Sequence, residues 1–210
     1  MQQYLESMRK AVKDENWFAA LFLALAMPDI CAKLENHNIP KREIGEFYRD
    51  WFNRYLRKIY TPRNLYELYS VTSPWELEPP KRIPGLPYIE MTKEQRIKQL
   101  KDSPIDLGPG FTANDCWKMR CSCFHTGNLE EMQTKWYFTP PIPGLDIHLC
   151  SDEYGNQLQI NTFVNDICLA VEEWLADVDG DEEIQGRISE LLTIRKENLT
   201  PNIKINFSES

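Results

Sequence analysis

Histidine is scarce in this chain, with three among 210 residues, and the familiar nucleotide and hydrolase motifs are missing. The sequence contains no G-x-x-x-x-G-K-[ST], no G-x-G-x-x-G and no G-x-S-x-G. The first two motifs form loops that bind phosphate groups, and the third presents a nucleophilic serine. Their absence leaves P-loop, Rossmann and α/β-hydrolase functions without support. No internal repeat is present.

Cysteine and long apolar runs are also limited. Six cysteines among 210 residues do not make a disulfide scaffold. The N-terminal sequence MQQYLESMRK has no apolar signal core. The apolar run from Trp17 to Met27 stops after 11 residues, at Pro28 and Asp29, whereas a membrane span needs roughly 20. We therefore expect a cytoplasmic protein with reduced thiols and no membrane partner.

Metal ligands are present in type but not in spacing. Cys121, Cys123 and His125 follow a C-x-C-x-H order, and residues two apart on a helix point about 200° away from each other. Zinc sites usually add a second pair of ligands, but the cysteines elsewhere stand alone: Cys31, Cys150 and Cys168. The acidic stretch DVDGDEE also fails the residue order of a calcium loop. We expect neither a metal site nor a cofactor.

Charge is distributed unevenly along the chain. The net charge is −8 and the pI is about 5.0, so the protein as a whole repels polyanions. Residues 1–60 nevertheless carry ten Lys and Arg against eight Asp and Glu, a net charge of +2. Residues 161–210 carry four against eleven, a net charge of −7. A nucleic-acid partner would therefore meet only one end of the molecule.

Apolar spacing predicts a mainly α-helical bundle. A first amphipathic helix spans 2–14, and a second follows Asn16, a favourable N-cap. The first three turns of that second helix are apolar on all faces, which predicts a central position in the core. Pro28 lacks an amide proton, so it should kink or break the helix near 24–27. A third helix is predicted over 41–60, where apolar residues recur at intervals of three and four.

Residues 61–110 differ in kind, because they hold eight of the 14 prolines. We expect one short helix at 92–101 and otherwise an extended, irregular insertion. A loop of this length inside a compact domain is usually functional or disordered. It would also suit an arm that wraps a partner chain, given its interleaved apolar residues: Trp75, Leu77, Leu86 and Tyr88.

The hydrophobic period changes in the last third of the chain. Three short strand candidates, KWYFT, DIHLC and QLQIN, lie within 135–161, and the turn residues SDEYGNQ predict a small β-hairpin there. A helical pair follows, FVNDICLAVEEWLADV and DEEIQGRISELLTIRKE, the second ending near 197. We thus predict one helical domain over 1–197 that carries the insertion, with a loose tail at 198–210.

A helix that begins near Thr112 carries the most informative stretch, DCWKMRCSCFH. TAND fits a capping-box variant, with Asp115 three residues after Thr112, and Gly127 is a natural end. Within this helix Arg120 and His125 form an R-x4-H pair. A histidine can give or take a proton at neutral pH, and an arginine binds phosphate through two parallel hydrogen bonds. The pair therefore suits phosphodiester cleavage without a metal.

Helix geometry separates these two side chains. Five residues are a rotation of about 500°, which leaves Arg120 and His125 about 140° apart. They converge only if the helix frays or tightens near His125, or if a second copy completes the site across a dimer interface. In the structural alternative, His125 caps the helix C-terminus and Arg120 pairs with a carboxylate, for which the candidates are Asp115, Asp29 and Glu35.

An R-x4-H pair on a late helix of an α-helical bundle resembles the HEPN superfamily, whose members carry R-x4–6-H. The surrounding pattern also resembles a family of uncharacterised bacterial proteins, through ALFLALAMPDICAKLE, WFNRYL and DCWKMRCSCFHTG. The strong part of the resemblance covers residues 16–60 and 111–127. It implies a metal-independent endoribonuclease of the defence or toxin–antitoxin type, or an effector derived from one. Such proteins typically pair with their motifs facing each other, which implies a homodimer.

Two functional hypotheses follow. In the first, a homodimer cleaves single-stranded RNA, with Arg120 on the scissile phosphate and His125 as general acid or base. Carboxylates would orient the pair: Asp115, together with Asp29 or Glu35. In the second hypothesis, the bundle is a non-catalytic protein–protein interaction module that grips a partner through 61–110.

Overall fold

The computed structural model describes residues 1–81, 90–108, 110–125, 127 and 135–194, and it confirms the mainly α-helical class. In chain order the helices are α1 (Gln2–Lys13), α2 (Trp17–Glu35), α3 (Ile44–Tyr55), α4 (Arg57–Tyr60), α5 (Leu65–Thr72), α6 (Lys93–Lys101), α7 (Ala113–His125), α8 (Ile160–Asp177) and α9 (Glu182–Ser189). Two short 3-10 helices span Lys41–Glu43 and Pro74–Leu77. The strands are β1 (Trp136–Thr139) and β2 (Asn156–Gln159).

Helix α2 lies at the centre of the bundle and packs against α1, α3, α7 and α8. The side chain of Asn16 accepts a hydrogen bond from the amide of Ala19 at 3.3 Å, which confirms the predicted N-cap. Pro28 does not end the helix, which continues to Glu35. The predicted break near 24–27 therefore does not occur, because packing on several sides holds the helix together across the missing hydrogen bond.

One face of α2 reaches solvent, which corrects the expectation that its first turns are buried on every side. Phe18 is 78% exposed, although Leu25 and Met27 are fully buried. By length and composition alone α2 could also cross a membrane, a property that core helices share, and 56% of its apolar window is buried. The exposed face therefore belongs to a helix that otherwise forms the core.

Two predicted helices have different bounds in the structure. The segment 41–60 is divided into a 3-10 turn, α3 and α4, with Leu56 between the last two. Helix α9 ends at Ser189 rather than near 197. Leu192 and Ile194 are 78% and 88% exposed, so a longer helix would have no apolar face to bury. The predicted tail at 198–210 lies outside the described residues.

The described part of the insertion, 61–81 and 90–108, is a compact helical appendage rather than an extended arm, and Leu86 and Tyr88 lie outside the described residues. The predicted helix at 92–101 is confirmed as α6, with a capping box at Thr92. Helix α5 is additional, and Asn64 caps it by accepting from the amide of Glu67 at 3.0 Å. Both helices pack on each other and on the 3-10 turn between them. Arg57 joins the appendage to α4 through two hydrogen bonds to Glu67, at 2.8 and 2.6 Å.

The small sheet pairs β1 with β2 in parallel, and the predicted β-hairpin near 135–161 is present as a short antiparallel contact beside it. Strand β1 pairs with β2 from Trp136 opposite Asn156 to Thr139 opposite Gln159. The candidate strand DIHLC does not form a regular strand, because Leu149 adopts a φ of +60°, which an extended strand cannot accommodate. Its last two residues nevertheless hydrogen-bond to Gln157 of β2, through the Leu149 amide and the Cys150 carbonyl, each at 2.8 Å. The connection between β1 and β2 therefore leaves the sheet and returns to start β2 in the same direction.

The predicted turn inside that connection does form. Asp152 accepts hydrogen bonds from the amides of Tyr154 and Gly155, at 2.8 and 3.0 Å. Ser151 and Asn156 face each other in an isolated antiparallel bridge. The turn residues thus form the turn as predicted, and the longer strand pairing is the parallel one between β1 and β2.

Candidate functional site

Helix α7 is defined at both ends by the residues that the sequence indicates. The carboxylate of Asp115 accepts from the amide and the hydroxyl of Thr112, at 3.0 and 2.6 Å, and the amide of Asp115 donates back at 3.1 Å. Gly127, at a φ of +69°, donates to the carbonyl of Ser122 at 2.8 Å. Asp115 therefore serves the start of α7, more than one turn before Arg120, and does not contact it.

Arg120 faces α2 and is held on three sides. Its Nη2 lies 3.0 Å from Oδ2 of Asp29, a buried residue that also accepts from Lys33 at 3.2 Å. The guanidinium carbon lies 5.3 Å from the ring centroid of Trp117 and 5.2 Å from that of Phe124. These rings are three residues before and four after Arg120, so they share its helix face. The side chain is 20% exposed, and the result is a fixed cation with access to solvent.

The partner of Arg120 settles one alternative that the sequence leaves open. Among the three candidate carboxylates, Asp29 is the one that pairs with it. Glu35 instead accepts from Arg54 and from the indole of Trp174, at 2.5 and 2.7 Å. It lies in a cleft of about 580 Å³ between α2, α3 and α4, away from Arg120.

Close packing of α3 against α7 positions the Trp117 ring. A Cβ atom on Gly45 would lie 2.8 Å from Cε2 of Trp117, so only glycine permits this approach. The ring also packs on Tyr48, with centroids 5.1 Å apart. The buried Tyr48 hydroxyl donates to the carbonyl of Leu25 at 3.1 Å and lies 3.2 Å from Sγ of Cys116. Helices α2, α3 and α7 are thus fastened together directly beneath the site.

His125 is the last residue of α7 and is exposed. The helix remains regular up to it, so the predicted separation of about 140° from Arg120 applies within one chain. The residues that share its face are Cys121 and Ser122, one turn before, and Lys118, two turns before. One chain therefore does not bring Arg120 and His125 onto a common point.

An exposed aromatic surface lies beside Arg120 and His125. The rings of Phe22 and Phe124 contact each other across α2 and α7, with centroids 5.2 Å apart. Phe124 is 43% exposed, and Phe18, one turn before Phe22, is 78% exposed. We call these three rings the phenylalanine surface. Their spacing, and that of Trp117, follows the helical period of three and four, and this is the sequence signal that predicts an aromatic stripe on α2 and α7.

Two thiols near the site, Cys116 and Cys123, do not have the properties of metal ligands or nucleophiles. Burial raises the pKa of Cys116 to about 12 and also raises the pKa of Cys123, whereas both roles require a thiolate. All six cysteines are free. Within the described ranges, no group of three or more His, Cys, Asp or Glu side chains is arranged to hold a metal ion.

Comparison of the chain with protein-family models, curated proteins and solved structures finds no match. The case for a function therefore depends on the geometry of α2 and α7.

Proposed function

We propose that this chain is an HEPN-like, metal-independent endoribonuclease, or an effector derived from one, that acts on single-stranded RNA in the cytoplasm as a homodimer. Arg120 binds the scissile phosphate and His125 acts as general acid and base. The observation that carries the proposal is the fixed state of Arg120, which Asp29, Trp117 and Phe124 hold in place while part of it faces solvent. A preorganised cation stabilises developing charge better than a mobile one.

The reaction needs no group beyond these side chains and the RNA. His125 removes the proton from a ribose 2′-hydroxyl, and the 2′-oxygen attacks the adjacent phosphorus. The bond from phosphorus to the 5′-oxygen breaks, and that oxygen takes a proton from the imidazolium. The products are a 2′,3′-cyclic phosphate and a 5′-hydroxyl, while Arg120 neutralises charge on the non-bridging oxygens.

A second copy supplies what one chain lacks. Arg120 and His125 diverge by about 140° around α7. Arg120 of one subunit therefore forms a site with His125 of the other subunit. The phenylalanine surface favours this arrangement, because exposed rings beside the site bury apolar area when they pack on a symmetry-related copy. Asp29 then keeps its orienting role within the subunit, whereas Asp115 remains a capping residue.

Cleavage of a fluorescent single-stranded RNA in EDTA tests the assignment. His125→Ala should abolish cleavage, and Arg120→Ala should reduce it by at least about 100-fold, the usual loss for a transition-state donor. His37→Ala is the matched control, since His37 is also exposed but lies beyond α2. Arg9→Ala controls for removal of a salt-bridged arginine, because Arg9 pairs with Glu172 at 2.6 Å on α1 and α8. Cleavage that survives His125→Ala contradicts the proposal.

Mixing two inactive variants tests the dimeric site. If each site takes Arg120 from one subunit and His125 from the other, a mixture of Arg120→Ala and His125→Ala regains activity. Random exchange makes about half of the dimers mixed, with one complete site each, so about one quarter of wild-type activity should return. Phe18→Ser should dissociate the dimer, whereas Leu169→Ser, at a 50% exposed position on α8, should not. If mixing restores no activity, the two subunits do not share a site, and the dimeric arrangement is wrong.

One observation favours the second function, a protein–protein interaction module. The helical appendage within 61–110 presents Trp75 at 69% exposure and Leu107 at 64%, and an exposed tryptophan is a frequent anchor at interfaces. Under this proposal Trp75→Ala abolishes partner capture or self-association and leaves the fold intact. If the variant keeps the oligomeric mass and the partner binding of wild type, the appendage is not the interaction site.

A further inference from the structure

Residues 140–155, which we call the strap, connect β1 to β2, and most of them are exposed. Residues 140–146 and 150–154 are exposed, and the partly buried residues between them are 147–149. The His148 side chain is 9% exposed. This ring therefore anchors the strap together with two other contacts. The amide of Leu149 and the carbonyl of Cys150 hydrogen-bond to Gln157 of β2, each at 2.8 Å, and Leu149 packs against the core.

The environment of His148 defines its tautomer. Its Nδ1 accepts from the amide of Gln159 at 3.2 Å, so in the neutral ring Nε2 carries the proton. That nitrogen is buried without a hydrogen-bond partner in the described part of the chain, 3.9 Å from Oδ2 of Asp166. The ring also meets Tyr60 edge to face, with centroids 5.7 Å apart. A donor thus points at a carboxyl oxygen from beyond hydrogen-bond distance.

Asp166 is the group that Tyr60 and His148 enclose. The Tyr60 hydroxyl donates to its Oδ2 at 2.8 Å, and its side chain is 14% exposed. Burial raises the pKa of Asp166 to about 6, although the Tyr60 hydrogen bond opposes the rise. Burial also lowers the pKa of His148 to about 4, against the influence of Asp146 in the strap. Among the described residues, a further titratable neighbour is Cys116 of α7, which faces Tyr60.

We infer that His148 fastens the strap to the helical core and that ionisation of Asp166 releases it. At mildly acidic pH all three groups are neutral, and the strap closes over them. Once Asp166 carries a charge, its carboxylate has one donor within hydrogen-bond distance in the described part of the chain, the Tyr60 hydroxyl, while His148 Nε2 stays at 3.9 Å. A buried charge of this kind demands water or further donors.

Opening is the favoured response because His148 cannot simply move closer. Its two nitrogens flank the same ring carbon, and their hydrogen bonds point in widely different directions. A shift of Nε2 toward Asp166 therefore draws Nδ1 away from Gln159. That hydrogen bond is already 3.2 Å long, near the limit for nitrogen donors. Water reaches the carboxylate when the strap lifts.

Hydrogen exchange of the strap and Gln159 amides tests the inference, after each rate is divided by the intrinsic rate at that pH. In wild type the opening constant should rise about tenfold between pH 5 and pH 7.5, because the closed state gives Asp166 the higher pKa. Asp166→Asn should abolish the rise and keep the strap closed. Asp177→Asn is the matched control, since Asp177 on α8 also accepts from a tyrosine hydroxyl, Tyr55, but is exposed. It should retain the full rise.

Tyr60→Phe tests the same inference independently. Loss of its hydroxyl removes the donor that opposes the rise in the Asp166 pKa, so the midpoint of opening should move to higher pH. The inference is overturned if the corrected rates do not change with pH or if the strap closes as the pH rises. A rise that persists in Asp166→Asn, or is lost in Asp177→Asn, overturns it as well.

Discussion

Replacing Gly45 with alanine should destabilise the protein through the site helix, although alanine is the better helix former. The added Cβ would lie 2.8 Å from Cε2 of Trp117, and the ring is confined between Tyr48 and the guanidinium of Arg120. Overpacking costs about 1–3 kcal/mol, whereas the gain in helix propensity is at most about 1 kcal/mol. The free energy of unfolding should therefore fall by about 1–2 kcal/mol, and Tm by roughly 2–8 °C.

Gly186 provides the matched control, since it lies in α9 and an added Cβ would meet nothing within 4 Å. Gly186→Ala should raise the free energy of unfolding by about 0.5–1 kcal/mol through helix propensity alone. Urea denaturation followed by circular dichroism measures both variants. Gly45→Ala should also cost less in a Trp117→Phe background, where the ring is smaller. The reasoning is refuted if both alanines shift stability in the same direction.

Three further predictions concern charged groups. Asp166→Asn should gain stability over wild type as the pH rises from 4 to 7.5, by up to about 3 kcal/mol in urea unfolding. The sign follows because burial raises the Asp166 pKa to about 6, and wild type loses stability through that interval. Wild type should be more stable than Glu67→Gln in thermal unfolding by on the order of 1 kcal/mol at neutral pH. This difference should shrink below pH 4.5, because the hydrogen bonds from Arg57 lower the Glu67 pKa to about 2. Asp29→Ala should lower the free energy of unfolding by about 2 kcal/mol, since it leaves the mostly buried Arg120 unpaired.

The caps and ends of the helices were predictable from the sequence, because a few adjacent residues determine them. Asn16 and Thr112 cap helices through their own side chains, and Gly127 takes the left-handed conformation beyond α7. Helix α5 was predictable in the same way, but the proline count hid it. Pro62 and Pro74 flank that helix rather than interrupt it.

Pairings between distant residues could not be read from the sequence. The parallel register of β1 and β2 depends on how the strap leaves the sheet, which the strand pattern does not record. The choice of Asp29 as the partner of Arg120 spans 91 residues and is made by the packing of α2 on α7. The cluster of Tyr60, His148 and Asp166 likewise joins three elements whose separate sequences carry no common signal.

The chemical identity of the RNA products tests the central claim most directly. In EDTA, wild-type protein should convert single-stranded RNA into fragments with a 2′,3′-cyclic phosphate and a 5′-hydroxyl, identified by mass spectrometry. A single 2′-deoxy substitution at the cleaved position, or His125→Ala, should stop the reaction, while His37→Ala should cleave as wild type does. Intact RNA after incubation with folded, dimeric wild-type protein would contradict the account, as would cleavage that proceeds without the 2′-hydroxyl.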